Sequence, residues 1–300
     1  MVIIQVSGGL GNQLRAFAVY VKFQLLGVEA KLDISLYDST NEYRGGGLID
    51  RALELNYLKV SYEVSSSEEN RRYRNPSLIQ QVRNYRRYGR RILCYVFPTY
   101  DLSVFDIREG YISGDFSQEG YTQDIEAALR ERICFPLKED MHNREILNRI
   151  HETESVSIHI RRGDYMDQNH YAALGSVASE EYYNKAIAYM KEQLKDKAEQ
   201  VVFFVFSDDK EYIQRTYSGM EQMEMVDWNK NEDSYYDMYL MSQCRHNITA
   251  YSSFSFWASR LNANPDKIVV RVVPDKVEEG ITGNCTFINT KGEIVQERVS

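Results

Sequence analysis

Apolar and polar positions alternate through residues 156–161, with Val156, Ile158 and Ile160 on one side and Ser157, His159 and Arg161 on the other. A period of two predicts a short strand. Gly163 breaks it, so Arg161, Arg162 and Asp164 fall at its C-terminal end. Residues 201–206, Val-Val-Phe-Phe-Val-Phe, show no alternation. That pattern belongs to a parallel strand buried on both faces. It too ends in polar groups, Ser207, Asp208 and Asp209. Shorter strand patterns cover 2–6, 30–34, 111–116, 223–226, 247–250 and 268–273, the last expected to close its sheet. Helical periodicity predicts helices over 14–26, 121–133, 141–150, 179–194 and 234–242, with others beginning at 211 and running through 261. In the helix over 234–242, Tyr236, Leu240 and Met241 are the inward positions. Strands and helices alternate in both halves, which indicates α/β architecture. A polar stretch at 152–155 sets the expected boundary, giving domains 1–153 and 154–300.

Composition narrows the class. The 300 residues allow two cores. With 43% hydrophobic and 27% charged residues, the chain has the make-up of a soluble globular enzyme. A net charge of −8 and a pI near 5.3 argue against nucleic acid as a partner. Cys94, Cys134, Cys244 and Cys285 are widely spaced with no CxxC pair. They fit neither a zinc cluster nor a disulfide framework, so a reducing cytoplasm is expected. No apolar run is long enough to span a membrane, and no basic leader precedes the first strand.

Candidate chemistry gathers at three places. Adjacent arginines at the C-terminal end of a strand lie where ligands collect in open α/β sheets. One guanidinium can serve a phosphate and the other a carboxylate such as Asp164. The first strand runs into Ser7-Gly8-Gly9-Leu10-Gly11-Asn12-Gln13 and then a helix, an order resembling a phosphate-binding βα unit. A plain tight turn fits equally, with Asn12 and Gln13 capping the helix or binding a hydroxyl. No Lys-Ser/Thr follows the glycines, which disfavours a phosphate-loop NTPase. Ser252 and Ser253 enter a helix and offer either an anion site or an ordinary cap. Asp33 reads as a strand-terminating residue.

Residues 68–93 carry eight arginines: Arg71, Arg72, Arg74, Arg83, Arg86, Arg87, Arg90 and Arg91. Leu78, Val82, Tyr85 and Ile92 share one helical face there. The expectation is a solvated helix whose stripe packs on its own domain. The alternative is peripheral contact of the Arg-rich helix 71–91 with an anionic inner-membrane surface.

Three blocks together resemble the α-1,2-fucosyltransferase family. They are GGLGNQLRAFA at 8–18, HIRRGDY at 159–165, and a third reaching from Tyr236 to Cys244, through His246, Asn247 and Ile248, to Ser252-Ser253-Phe254-Ser255-Phe256-Trp257. The second is similar to the HxRRxDY donor motif shared with α-1,6- and protein O-fucosyltransferases. The resemblance implies a GT-B-like fold, with two Rossmann-like domains facing a cleft, the first on the acceptor side and the second binding the donor. It implies an enzyme moving L-fucose from GDP-β-L-fucose to O2 of a terminal galactose, with inversion; the short, tail-less, membrane-free chain suggests a bacterial source with a surface-polysaccharide or O-antigen role. No cofactor and no divalent metal is expected, and the Asp208-Asp209 pair reads as strand-end or ribose-binding.

By the same resemblance, Arg161 or Arg162 stabilises charge on the leaving diphosphate; strand alternation favours Arg161, on the same side as His159, and Asp164 holds the second arginine. Ser252 and Ser253 bind the diphosphate, Phe254 lies against the nucleotide, and His159 bonds to it. Asp237 accepts the N1 and N2 hydrogens of guanine. Gly9 and Gly11 belong to the donor contacts, and Asn12 lies near the fucose and the acceptor. Asp115 and Glu119 are the candidates for the general base. Gly114-Asp115-Phe116-Ser117-Gln118 departs from the family's Gly-Tyr-aromatic-Gln-Ser, on the acceptor side. Tyr251 stands where the family has Asn, and Phe256-Trp257-Ala258 where it has Trp-Trp-Gly. The alternatives are a fucosyltransferase of other linkage or acceptor, another GDP-sugar donor, or a non-catalytic nucleotide- or sugar-binding protein.

Overall fold

The computed structural model describes residues 1–38, 52–162, 179–274, 280–281 and 283–298. They fall into two compact units, the first ending at Cys134 and the second beginning at Phe135.

The first unit contains β1 (Val2–Gln5), α1 (Leu10–Leu25), β2 (Ala30–Asp33), α2 (Ser67–Arg74), α3 (Leu78–Tyr88), β3 (Cys94–Phe97), β4 (Gly110–Gly114) and α4 (Glu126–Arg132). Its four-stranded sheet has the order β2-β1-β4-β3, and every pairing is parallel. Val2, Ile3 and Ile4 are buried on both faces of β1, and α1 covers the sheet with Leu14, Phe17 and Val21. The helix starts four residues earlier than its apolar period predicts, because the Glu54 carboxylate accepts from Leu10 N–H at 3.0 Å. Asp33 ends β2 as a buried structural carboxylate, accepting from the Tyr111 hydroxyl at 2.6 Å.

Two expectations change here. The single helix expected over 121–133 shrinks to α4, preceded by 3₁₀ turns at Glu119–Tyr121 and Gln123–Ile125. Tyr121 is the reason: its buried hydroxyl donates to Thr99 O at 3.0 Å and accepts from Asp101 N–H at 2.9 Å. Tertiary bonding overrides the helical period. The Arg-rich stretch is split at Asn75-Pro76 into α2, closed by a Ser66–Glu69 capping box, and α3.

Later chain returns to this unit. Gly280 O accepts from Gly120 N–H at 2.8 Å. Gly280 has φ of +80°, and an added Cβ there would meet the Tyr100 ring and Gln118 at 2.9 Å. Only glycine satisfies both demands.

The second unit contains α5 (Met141–Glu152), β5 (Glu154–Ile160), α6 (Glu180–Gln193), β6 (Val201–Ser207), α7 (Lys210–Tyr217), β7 (Met223–Val226), α8 (Tyr235–Gln243), β8 (His246–Ile248), α9 (Ser253–Leu261), β9 (Val269–Val273), β10 (Thr286–Asn289) and β11 (Ile294–Gln296). The expected boundary at 153/154 moves to 134/135. Helix α5 belongs here, since Asn143 bonds Asn229 and Arg149 pairs with Glu224 at 2.9 Å. The sheet order is β11-β10-β9-β8-β5-β6-β7, parallel except for β11. It does not close at 268–273, because β10 and β11 extend it.

β6 runs between β5 and β7 and is buried through Phe206, as its unbroken apolar run requires. Tyr236, Leu240 and Met241 are buried in α8 as expected. From β5 the chain steps outward through β6 and β7, then returns to the other side of β5 with β8 and β9. The order therefore reverses between β5 and β8, and in open α/β sheets ligands bind at the carboxyl ends of the strands at such a reversal. Among the described residues no helix is long and apolar enough to cross a membrane.

Candidate active site

β5 carries His159 and, just past its end, Arg161 and Arg162. Its parallel neighbour β6 carries Ser207, Asp208 and Asp209 to the same edge. Arg161 Nη1 lies 2.5 Å from Asp208 Oδ2. The backbone N–H of Arg162 donates to Asp208 Oδ1 at 3.0 Å. Arg162 Nε lies 3.1 Å from Asp209 Oδ2, and its guanidinium covers the Tyr212 ring at 3.9 Å. The expected partner, Asp164, lies outside the described residues; the carboxylate found on Arg162 is that of Asp209. The two aspartates thus serve as arginine partners at a strand end, and Asp209 also caps α7 by accepting from Tyr212 N–H at 2.9 Å. Both arginines are about a quarter exposed, Arg161 at 25% and Arg162 at 27%, so an anion can reach them.

His159 is buried, and its Nδ1 has no hydrogen-bond partner among the described residues. Burial pushes its pKa down to about 4; Asp208 opposes the shift and Arg161 adds to it. The ring is therefore neutral near pH 7, with a nitrogen left for a ligand. It lies 5.6 Å from the Phe254 ring at an interplanar angle of 37°. Phe254 sits in the first turn of α9, which follows β8 on the far side of the chain reversal. Ser252 caps that helix, accepting from Phe254 N–H at 3.3 Å. Ser252, Ser253 and Phe254 are only half-buried, and the positive end of α9 opens beside the histidine. The structure brings His159 and Phe254 together, with Arg161, Arg162, Ser252 and Ser253 on the same edge.

Asp237 lies in the first turn of α8. Burial pushes its carboxyl up to about 8, with Asp227 adding to the rise and a hydrogen bond from Asn229 opposing it. That bond, Asn229 Nδ2 to Asp237 Oδ1, is 2.8 Å long. Asn229 is fixed in turn by Asn143, fully buried in α5: the two amides exchange bonds of 2.9 and 3.0 Å. Trp228 Nε1 donates to Asn143 Oδ1 at 3.0 Å. The sequence reading missed Asn143, Trp228 and Asn229. Their signal was slight, an asparagine at an inward helix position and a Trp-Asn pair just past the end of β7.

The first unit holds the other expected residues. Asn12 is exposed but sits in the first turn of α1 rather than on the loop before it. Gly9 precedes the helix and its carbonyl accepts from Asn12 and Gln13 N–H at 2.9 and 3.0 Å. Gly11 is buried inside the helix, which leaves it no surface for a nucleotide. Gln13 is also buried, its amide spent on Gly8 O, Ala52 O and Leu55 N–H. Leu10 N–H, at the start of the helix, is taken by Glu54. Asp115 follows β4, exposed and paired with Arg15 of α1 at 2.8 Å. Glu119 opens the 3₁₀ turn beyond it. Among the described residues no group of three His, Cys, Asp or Glu side chains is arranged to hold a metal ion.

Residues 73–278 match the sequence profile of glycosyl transferase family 11. An O-antigen biosynthesis glycosyltransferase, WbnK of Escherichia coli, is 30% identical over 292 residues, covering 88% of this chain and 91% of its own. An α-1,2-colitosyltransferase of Escherichia coli is 30% identical over 271 residues, covering 87% of each chain. A galactoside α-(1,2)-fucosyltransferase 1 of Saimiri boliviensis boliviensis is 30% identical over 107 residues, 35% of this chain and 28% of its own. Among solved structures, the α-1,6-fucosyltransferase NodZ soaked with GDP-fucose has a TM-score of 0.43 at 16% identity, covering 87% of this chain and 92% of its own. POFUT1 in complex with GDP has a TM-score of 0.46 at 10% identity, covering 90% and 97%. More than half of the chain lies inside the profile, including the strand edge that carries His159, Arg161 and Arg162, and the two bacterial relatives match it nearly end to end. The chain belongs to glycosyl transferase family 11.

Proposed function

We propose that this glycosyltransferase moves L-fucose from GDP-β-L-fucose to O2 of a terminal galactose, with inversion, in the synthesis of a bacterial surface polysaccharide or O-antigen. The observation that carries the donor assignment is the neutral, unpaired His159 Nδ1 beside Phe254, at the reversal of strand order and next to Arg161. A nucleoside diphosphate suits that edge: it offers a partner for the histidine nitrogen, a ring for Phe254, and negative charge for the start of α9. The relatives named as α-1,2-transferases support the linkage.

In the reaction, O2 of the acceptor attacks the anomeric carbon from the face opposite the diphosphate. The carbon–oxygen bond to GDP breaks, and its electron pair leaves with the β-phosphate. Arg161, with Ser252, Ser253 and the N–H groups of α9, stabilises the growing charge; fixed donors of this kind are usually the largest catalytic term. Arg162 is held beside Arg161 by Asp209 and the Tyr212 ring. Asp237 accepts the two guanine hydrogens in its ionised form. The hydroxyl proton passes to a carboxylate of the first unit, Asp115 or Glu119, with Asn12 orienting the sugars. No metal takes part: Asp208 and Asp209, the pair that would invite one, are already neutralised by arginine.

A second reading, transfer of a different deoxy sugar, is favoured by the α-1,2-colitosyltransferase relative. The test is incubation of the protein with GDP-fucose or GDP-colitose and a panel of galactose-terminated glycans, with product linkage read by NMR. An α-1,2-fucosyl product supports the proposal. A colitosyl product alone moves the reading to the second donor, and a product of other linkage overturns the acceptor assignment.

A further inference from the structure

Helix α3 is built inside out. Its buried residue is Asn84, which accepts from Gln80 Nε2 at 2.8 Å and donates to Arg91 O at 3.0 Å. Its apolar residues face water instead: Leu78 is 80% exposed, Ile79 71%, Val82 52% and Tyr85 61%. Ile92 and Val96 continue the exposed apolar surface beyond the helix. The expectation that this stripe packs on its own domain therefore fails. A contiguous apolar face in water marks a surface that something else covers.

Charge identifies what covers it. Residues 71–100 contain eight arginines and no Asp or Glu, in a chain of net charge −8. Arg72 pairs with Glu109 at 3.2 Å, and Arg74 lies 3.9 Å from Asp33. Among the described residues, Arg71, Arg83, Arg86, Arg87, Arg90 and Arg91 have no carboxylate partner, and all six are exposed. A second copy of the chain would bring the same positive charges against these and be repelled. The surface calls for an occupant that is negative and also takes aliphatic side chains.

We propose that α3 and the segment through Val96 dock on an anionic phospholipid bilayer, with Leu78, Ile79 and Val82 entering the interface and the arginines lying among the headgroups. Tyr85, with an apolar ring and a polar tip, suits the boundary between the two. A helix of 11 residues with one apolar and one basic face lies in the plane of the interface and does not cross it. Docking does not depend on the identity of the sugar donor.

The test is flotation of the full chain with vesicles of phosphatidylcholine alone or mixed with phosphatidylglycerol, at low and high salt. Partition onto the mixed vesicles is expected to be at least about tenfold stronger and to fall with salt, because each arginine near the surface contributes about fivefold. Arg86→Ala with Arg87→Ala should lower it about thirtyfold on the same basis. Val82→Asp should abolish it by putting a carboxylate into the apolar face. All these side chains are exposed, so the variants should keep the wild-type melting temperature and turnover of a water-soluble acceptor. Equal binding to neutral vesicles, no binding to anionic ones, or wild-type binding by these variants overturns the proposal. So does a stable dimer in sedimentation that Val82→Asp dissolves, which would make a second copy the occupant.

Discussion

Arg161 and Arg162 are neighbours in sequence but pair with different carboxylates, Asp208 and Asp209. Arg162 is fixed by a carboxylate through Nε and by a ring beneath its plane. Arg161 meets Asp208 through a terminal nitrogen. Arg161→Ala should cut kcat by about 10²–10³, the usual loss for one donor to a developing anion. Stability should change by less than about 1 kcal/mol, because the ion pair is partly exposed; a steady-state assay with thermal melts checks both. Asp237 carries a pH prediction. Its carboxyl is raised, so the folded protein keeps a proton that the unfolded chain has lost. The stability this contributes is complete below the ordinary carboxylate range and is lost as pH rises through about 8. If Asp237 binds guanine as proposed, it does so ionised, and GDP affinity should rise about tenfold per pH unit up to about 8 and then level off. Asn229→Ala removes the bond that lowers this pKa, so the break should move to higher pH. Asp237→Asn should melt higher than the wild type above the break yet lose its preference for guanine. Calorimetric titration with GDP across pH, beside melts of the variant, checks all three. The arginines and serines were legible in the sequence because charge and capping patterns are local. The Asn143–Asn229 support was not, since it joins residues far apart in the chain whose types promise nothing alone.

Elements show the same division between local and distant causes. β6 was read from its unbroken apolar run, and α6 from the serine and acidic first turn at its start, because those signals lie within the element. The start of α1 was misread because Glu54 supplies its cap from another segment, and the helix over 121–133 because one tyrosine hydroxyl is held elsewhere. The face of α3 was read correctly for periodicity and wrongly for direction, since a period does not say which side is inward. Asn143→Leu is the element-scale test. It leaves Trp228 Nε1 and the Asn229 amide short of partners, at about 1–3 kcal/mol per orphaned group, and releases Asp237. Urea melts should show the lost stability, and weaker GDP binding should accompany it.

At the scale of the whole molecule, two parallel-sheet α/β units were foreseen, but the boundary was placed about twenty residues late. The polar stretch at 152–155 that suggested it spans the end of α5, Thr153 and the start of β5, all inside the second unit. If Asp208 and Asp209 serve only their arginines, transfer should be undiminished in excess EDTA; a loss restored by manganese would return them to metal binding. The return of Gly280 to the first unit has a consequence for recombination. Its carbonyl holds Gly120, and its missing Cβ makes room for Tyr100 and Gln118. The first unit is therefore inherited in two pieces. A chimera that exchanges residues 1–134 alone separates a fitted pair, whereas one that carries the stretch around 280 with it keeps the graft whole.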